Sequence, residues 1–261
     1  MIRSATRDDL PRIRALFADA NDTPYDLEKV ADEKCFGAGV SGEPQVRVHG
    51  DFDGVSVTCG RYLRLLAVAR AARGRGVGTA LLRDAESRGA SVVAAEAGNY
   101  FTPGVPLSLA PFFESRGYRQ TARTQNLIVE ELPETIPENV RQPATGNPQP
   151  ILEFIENHFG KTWRFEAEQG RLFYLEHEGA IAGFSAHDAN NRGLGFFGPT
   201  GVAKSLRGRG LGTLLLQASL ADLRRLGYRR AIIPWTDAVD FYAKACGARV
   251  EERFVTLCFA A

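Results

Sequence analysis

Val68-Ala-Arg-Ala-Ala-Arg73-Gly-Arg-Gly-Val-Gly-Thr79-Ala-Leu-Leu82 and Val202-Ala-Lys-Ser-Leu-Arg207-Gly-Arg-Gly-Leu-Gly-Thr213-Leu-Leu-Leu216 are two copies of one segment, 134 residues apart in a chain of 261. A run rich in aliphatic and aromatic residues precedes each set of glycines (Tyr62 to Val68, Phe196 to Val202). An apolar series at helical spacing follows each: Val77, Ala80, Leu81 and Ala85, then Leu211, Leu214, Leu215 and Ala218. Each copy therefore reads as strand, glycine turn, helix. Alternate glycines beside arginine, where a helix opens, let successive backbone N–H groups converge on one anion, and the helix dipole adds partial positive charge. A polyphosphate suits such a turn, because side chains there would hold the backbone away from the phosphate oxygens. The dinucleotide pattern G-x-G-x-x-G and the P-loop G-x-x-x-x-G-K-[ST] both differ from Gly74-x-Gly76-x-Gly78 and Gly208-x-Gly210-x-Gly212.

The correspondence extends outward. Ser91 to Ala95 and Arg230 to Ile233 read as short strands, Phe112-Phe113 and Phe241-Tyr242 open second short helices, and terminal strands fall near Gln125 to Val129 and Phe254 to Phe259. In the first half, Ile2 to Ala5 is a strand and Thr6-x-x-Asp9 a capping box before Leu10, Ile13, Leu16 and Phe17. A helix is expected from Tyr25 to Cys35, then a hairpin of Gln45 to His49 and Val55 to Cys59. The second half is abbreviated: a helix from Ile151 to Phe159, a hairpin of Leu172 to Glu176 and Ala180 to Ala186, and no counterpart of the opening strand. Between the halves, Pro133 to Pro150 holds five of the thirteen prolines, which marks a semi-extended connector. The expected organisation is a domain over 1–132, a linker over 133–150 and a domain over 151–261.

With 32 Lys and Arg against 31 Asp and Glu, and a net charge of +1, nothing calls for a nucleic-acid or membrane partner. Cys35, Cys59, Cys246 and Cys258 form no paired CxxC spacing, and four histidines are too few to complete a zinc set, so no metal is expected. No apolar run approaches the roughly 20 residues of a membrane span, and the charged N-terminus lacks a signal-peptide core. The expectation is a cytoplasmic protein with reduced, mostly buried cysteines.

The pattern Arg73-x-x-Gly76-x-Gly78, repeated as Arg207-x-x-Gly210-x-Gly212, resembles the acyl-CoA signature of the Gcn5-related N-acetyltransferase (GNAT) superfamily. A strand ending in valine five residues before each arginine, and the segments Phe-Phe-Glu-Ser-Arg-Gly-Tyr118 and Phe-Tyr242-Ala-Lys, follow in that superfamily's order and extend the likeness over most of both halves. The resemblance implies an α/β fold of two tandem domains. Each would be a twisted mixed sheet with flanking helices, its fourth and fifth strands splayed to admit the pantetheine arm of acetyl-CoA. Carried over by position, the backbones of Val68 and Val202 would bond that arm. Arg73, Gly74, Arg75, Gly76, Val77, Gly78 and Thr79 would hold the pyrophosphate in one copy, and Arg207, Gly208, Arg209, Gly210, Leu211, Gly212 and Thr213 in the other.

Acetyl transfer from a thioester to an amine needs a deprotonated amine, a stabilised oxyanion and a reprotonated thiolate. Tyrosine, with a pKa near 10 against roughly 8.5 for a thiol, suits the last task. Members of the superfamily commonly carry it at the start of the helix after the fifth strand, where Tyr242 stands. The first domain offers Phe113 in one register and Phe112 in the other, and neither can donate. The second domain is therefore expected to be the main catalytic one.

Candidate acceptor-side residues are Tyr100, within the Gly/Pro loop Glu96 to Pro106, and Trp235 and Asp237 after the late strand of the second half. Glu176, His187, Asp188, Asp237 and Asp240 are all eligible as base, as is a water chain. The expected activity is N-acetylation of a small-molecule primary amine in a ternary complex. Phe197-Gly-Pro-Thr-Gly201-Val and Arg230-Ala-Ile-Ile-Pro-Trp235 resemble segments of tandem members that acetylate glucosamine and glucosaminides, which puts an amino sugar first. Polyamines, aminoglycosides, protein N-termini and an acyl-CoA sensor without turnover stay open.

Overall fold

A computed structural model describes residues 1–144 and 147–259. The first half runs β1 (Ile2–Ser4), α1 (Leu10–Ala20), α2 (Ala31–Phe36), β2 (Gln45–His49), β3 (Gly54–Cys59), β4 (Tyr62–Val68), α3 (Val77–Ser87), β5 (Val92–Val93), β6 (Val105–Pro106), α4 (Ala110–Glu114) and β7 (Tyr118–Val129). The second half runs β8 (Val140–Arg141), α5 (Gln149–Phe159), α6 (Lys161–Glu168), β9 (Arg171–His177), β10 (Ala180–His187), β11 (Phe197–Val202), α7 (Leu211–Arg225), β12 (Ala231–Ile233), α8 (Val239–Cys246) and β13 (Arg249–Phe259).

Two compact units result, one of Met1–Thr124 with the chain from Arg253 onward, the other of Gln125–Glu252. In the first, β1 to β4 form an antiparallel meander, and β5 joins β4 in parallel. In the second, β8, β9, β10 and β11 repeat the same meander. The closing strands are exchanged. Leu257 and Cys258 of β13 pair with β5 in the first unit, whereas Leu127, Ile128 and Val129 of β7 pair with β12 in the second. This division does not fall at the proline-rich segment, since the end of β7 belongs to the second unit and the end of β13 to the first.

Three local expectations are corrected. The second unit does possess a counterpart of the opening strand: Val140 and Arg141 pair with Leu175 and Tyr174 as β1 pairs with β2. This strand lies within the proline-rich segment, where Val140 joins the core beside Phe173 and Leu175, so the segment is more than a connector. Thr145 and Gly146 of that segment lie outside the described residues. The helix expected from Tyr25 begins only at Ala31. Asn21 Nδ2 donates to the Tyr25 carbonyl at 2.7 Å and Asn21 Oδ1 accepts from the Thr23 N–H at 3.0 Å, so an Asx turn occupies the backbone groups a helix would need. The first terminal strand starts at Tyr118, well before Gln125.

In both units the central strands diverge. Pairing between β4 and β5 covers Tyr62 and Leu63 and ends with the Ala94 N–H donating to Leu63 O at 2.9 Å, while β4 continues to Val68. The second unit joins its equivalent strands by one parallel bridge, Phe196 to Ile232, and β11 then runs on to Val202. Just beyond, Ala94 and Ala95 (φ 56° each) and Trp235 (φ 50°) adopt left-handed backbone.

Candidate functional site

Each glycine turn begins with a short 3-10 turn, Arg70–Ala72 or Lys204–Leu206, after which Arg73 and Arg207 are extended. Gly76 (φ 83°) and Gly210 (φ 78°) then cap α3 and α7 in the left-handed region. A Cβ at either position, or at Gly74 or Gly208, would meet nothing within 4 Å. Glycine is required there by the backbone angle, and open space lies beside these glycines where each helix begins. The turns thus fit a diphosphate.

The third glycine has a different reason. A Cβ on Gly78 would stand 3.3 Å from the Phe112 ring, and one on Gly212 3.6 Å from the Phe241 ring, so these positions let the following short helix close onto the turn. Arg73 and Arg207 reach back, Nε donating to Val68 O at 3.2 Å and to Val202 O at 3.3 Å. The arginines brace the turns, and of the two valine backbones expected at the pantetheine arm each has a carbonyl that already accepts one bond.

A cavity of about 610 Å³ opens in the first unit. It extends from Gly74, Gly76 and Thr79 through the gap beside β4 to Leu65, Leu27 and Thr23, with Phe101, Val105 and Phe113 in its wall. Arg116 stands at the turn end. Its Nε and Nη2 donate to Thr79 Oγ1 at 3.2 and 2.8 Å, its Nη1 to Phe112 O at 2.6 Å, and its guanidinium lies 4.0 Å over the Phe112 ring. A cation is thereby held beside the N-terminus of α3. Sequence reasoning missed Arg116, although its spacing four residues after Phe112 could have suggested a shared face.

α8 opens at Val239, ahead of the expected start, and Tyr242 lies within it, 8% exposed. Its ring lies edge-on to Phe241 at 4.9 Å and to Phe197 at 6.3 Å. Burial pushes its phenol up to about 12, with Cys246 adding to the shift, so it stays protonated. Because Phe112 covers Gly78 as Phe241 covers Gly212, the counterpart of Tyr242 in the first unit is Phe113.

Other expected residues are distributed unevenly. Tyr100 is buried, and it is the adjacent Phe101 and Thr102 that line the cavity. The loop carrying them is pinned from beneath. Arg64 donates to Glu96 at 2.6 and 3.0 Å with both side chains fully buried, and Asn99 donates to the carbonyls of Glu33 and Gly37 while accepting from Lys34 Nζ at 2.9 Å. Trp235 and Asp237 are exposed at the exit of β12, and the Trp235 N–H donates to Asn126 Oδ1 at 3.2 Å.

Among the eligible bases, His187 is excluded. It has no exposed surface, stacks on Phe173, and its Nε2 lies 3.2 Å from Asp222 Oδ2, which also accepts from Arg171 Nε at 2.7 Å. Burial drives its pKa down to about 4 against the pull of Asp222. Asp188 accepts from the Tyr228 hydroxyl at 3.1 Å, Glu176 pairs with Arg141 at 3.4 Å, and Asp240 is exposed in the first turn of α8. Sequence reasoning overlooked Glu252, whose buried Oε2 has no hydrogen-bond partner among the described residues. Burial, with Glu251 adjacent, raises its carboxyl to about 7. A strand glutamate in a charged run carries no signal of that environment.

Two family models match the chain: the acetyltransferase (GNAT) family over residues 135–248 and an acetyltransferase (GNAT) domain over residues 51–128, together more than half of its length. A comparison with curated proteins returns no match. Among solved structures, the glucosamine N-acetyltransferase region of a fungal multi-domain GH3 β-N-acetylglucosaminidase aligns at TM-score 0.77 and 18% identity. That alignment covers 99% of this chain but only 38% of the fungal one. A GNAT protein from Sphaerobacter thermophilus aligns at 0.66 and 22% identity over 98% of this chain and 94% of that one. A tandem GNAT protein from the clavulanic acid biosynthesis pathway aligns at 0.68 and 17% over 98% and 97%. These structures share the fold. With two matched domains and two glycine turns of one geometry, the chain belongs to the GNAT acetyltransferase family as a tandem member.

Proposed function

We propose that this chain transfers acetyl from acetyl-CoA to a primary amine of a small molecule, with an amino sugar the first acceptor and the second domain carrying the chemistry. The observation that supports this most is Tyr242, a protonated phenol directly after the Phe241 ring that covers Gly212 of the phosphate turn. When bound, acetyl-CoA supplies an activated thioester. The amine nitrogen attacks its carbonyl carbon, the C–S bond breaks, and Tyr242 gives its proton to the departing sulfur. The proton lost by the amine leaves through water to an acidic residue at the exit of β12, where Asp237 is exposed.

An amino sugar is favoured by the shared fold with the fungal glucosamine N-acetyltransferase region and by Trp235, 41% exposed at that exit, whose ring suits stacking on a sugar face. The near-neutral net charge supports a small-molecule acceptor over a nucleic acid or a membrane surface, and a cytoplasmic site of action accords with this reading. Among the described residues, no helix is long and apolar enough to cross a membrane. The test is CoA release from acetyl-CoA with glucosamine, spermidine, an aminoglycoside and an N-terminal peptide as acceptors. Turnover is expected with glucosamine. Turnover confined to the peptide would overturn the acceptor assignment, and none with any amine would overturn the activity.

A further inference from the structure

We infer that the cavity of the first domain is a site for CoA thioesters whose acyl group is an apolar chain longer than acetyl. The inference rests on the reading that the turn at residues 73–79 holds the CoA diphosphate, and it concerns what lies beyond that turn.

The cavity is lined from both faces of β4. Side chains alternate along β4: Leu66 and Val68 pack with the core on the α3 side, so Leu65 and Ala67 face the opposite side of the sheet, and the cavity reaches both sets. A ligand entering at the turn and passing the diverging strands arrives among Leu27, Leu65, Ala67 and Phe101.

That far chamber suits hydrocarbon and not an amine. Its polar members are already engaged: the Thr102 hydroxyl donates to Gly104 O at 2.7 Å, the Thr23 hydroxyl to Asn21 Oδ1 at 2.8 Å and Asn21 Nδ2 to Tyr25 O at 2.7 Å, while Asp22, nearer the turn, is paired with Arg73 at 2.8 Å and Arg70 at 3.3 Å. An ammonium group there would find no free carboxylate among the lining residues. Phe113 offers no proton where the second domain has Tyr242. The chamber is also preformed, since the buried Arg64–Glu96 pair and the Asn99 bonds hold the loop that carries Phe101. Apolar walls of fixed shape favour each methylene they enclose by about fourfold in affinity.

The test is a calorimetric titration of the full chain carrying Gly210→Asp, which blocks the second turn, with CoA, acetyl-CoA and hexanoyl-CoA. Hexanoyl-CoA is expected to bind at least about tenfold more tightly than acetyl-CoA. Leu65→Trp, or Ala67→Phe should the first variant not fold, is expected to abolish that preference while CoA itself still binds. If Gly210→Asp does not fold, the wild type is compared with Gly76→Asp, and the chain-length preference must vanish in the latter. Equal affinity for acetyl- and hexanoyl-CoA overturns the inference. Failure of all three ligands, CoA included, overturns instead the reading of the turn on which it rests.

Discussion

Phe113 occupies in the first domain the place that Tyr242 occupies in the second. Each follows a phenylalanine whose ring covers the third glycine of the turn, and each lies edge-on to that ring, at 5.0 Å for Phe112 and 4.9 Å for Phe241. One hydroxyl separates the two positions, so only the second domain carries a proton donor at this place.

Both turns nevertheless keep the same left-handed cap and the same open space. Gly76→Asp and Gly210→Asp are each expected to remove one of two acetyl-CoA sites, because each brings a negative charge to the phosphate position. Calorimetric stoichiometry falling from two to one in each variant is the check. The strain of a non-glycine residue at these angles costs about 1 kcal/mol and should leave the fold intact.

The Arg64–Glu96 pair is enclosed on all sides, so removing one partner strands the other charge. Glu96→Gln is expected to lower stability by about 3–5 kcal/mol in urea unfolding. Replacing both residues by leucine or methionine should recover much of that loss.

His187 is expected to make the protein sensitive to acid. Its folded pKa, about 4, lies below the ordinary 6.5, so the native state takes up its proton less readily than the unfolded chain. The resulting stability is complete above pH 6.5 and is lost as pH falls from there through 4. Melting temperature should drop over this window in the wild type and drop less in His187→Gln.

Glu252 has the opposite sign. A carboxyl raised to about 7 in the fold favours its protonated form, so its contribution is complete below the ordinary 4.5 and is lost as pH rises through 7. Glu252→Gln should raise the melting temperature at pH 8 and change it little at pH 4.

The turns were legible in the sequence because glycine at Gly76 and Gly210 answers a local backbone demand, and the strand and helix beside each turn have distinct periods. Tyr242 was singled out by the resemblance, which placed it on the short helix after the late strand, and it lies on α8. The opening strand of the second unit was not, since Val140 and Arg141 alone are too short for any alternation to show. Nor was the exchange of closing strands: the apolar runs at Leu127 to Val129 and Phe254 to Phe259 announce strands without naming their partners. His187 and Glu252 look alike in sequence, as polar residues on strands. Only packing reveals that one is sealed against Asp222 and the other half-buried with a raised pKa. The far side of the first cavity depends on Leu27, Leu65 and Phe101, which are distant in sequence and resemble ordinary core residues.

The phenol of Tyr242 is the group on which the proposed chemistry of the second domain depends most directly. Tyr242→Phe, assayed by CoA release under saturating acetyl-CoA and acceptor, is expected to lower kcat by about 100-fold or more, with acetyl-CoA affinity measured by calorimetry unchanged. Full turnover by that variant would contradict the assignment of the second domain's chemistry to this residue.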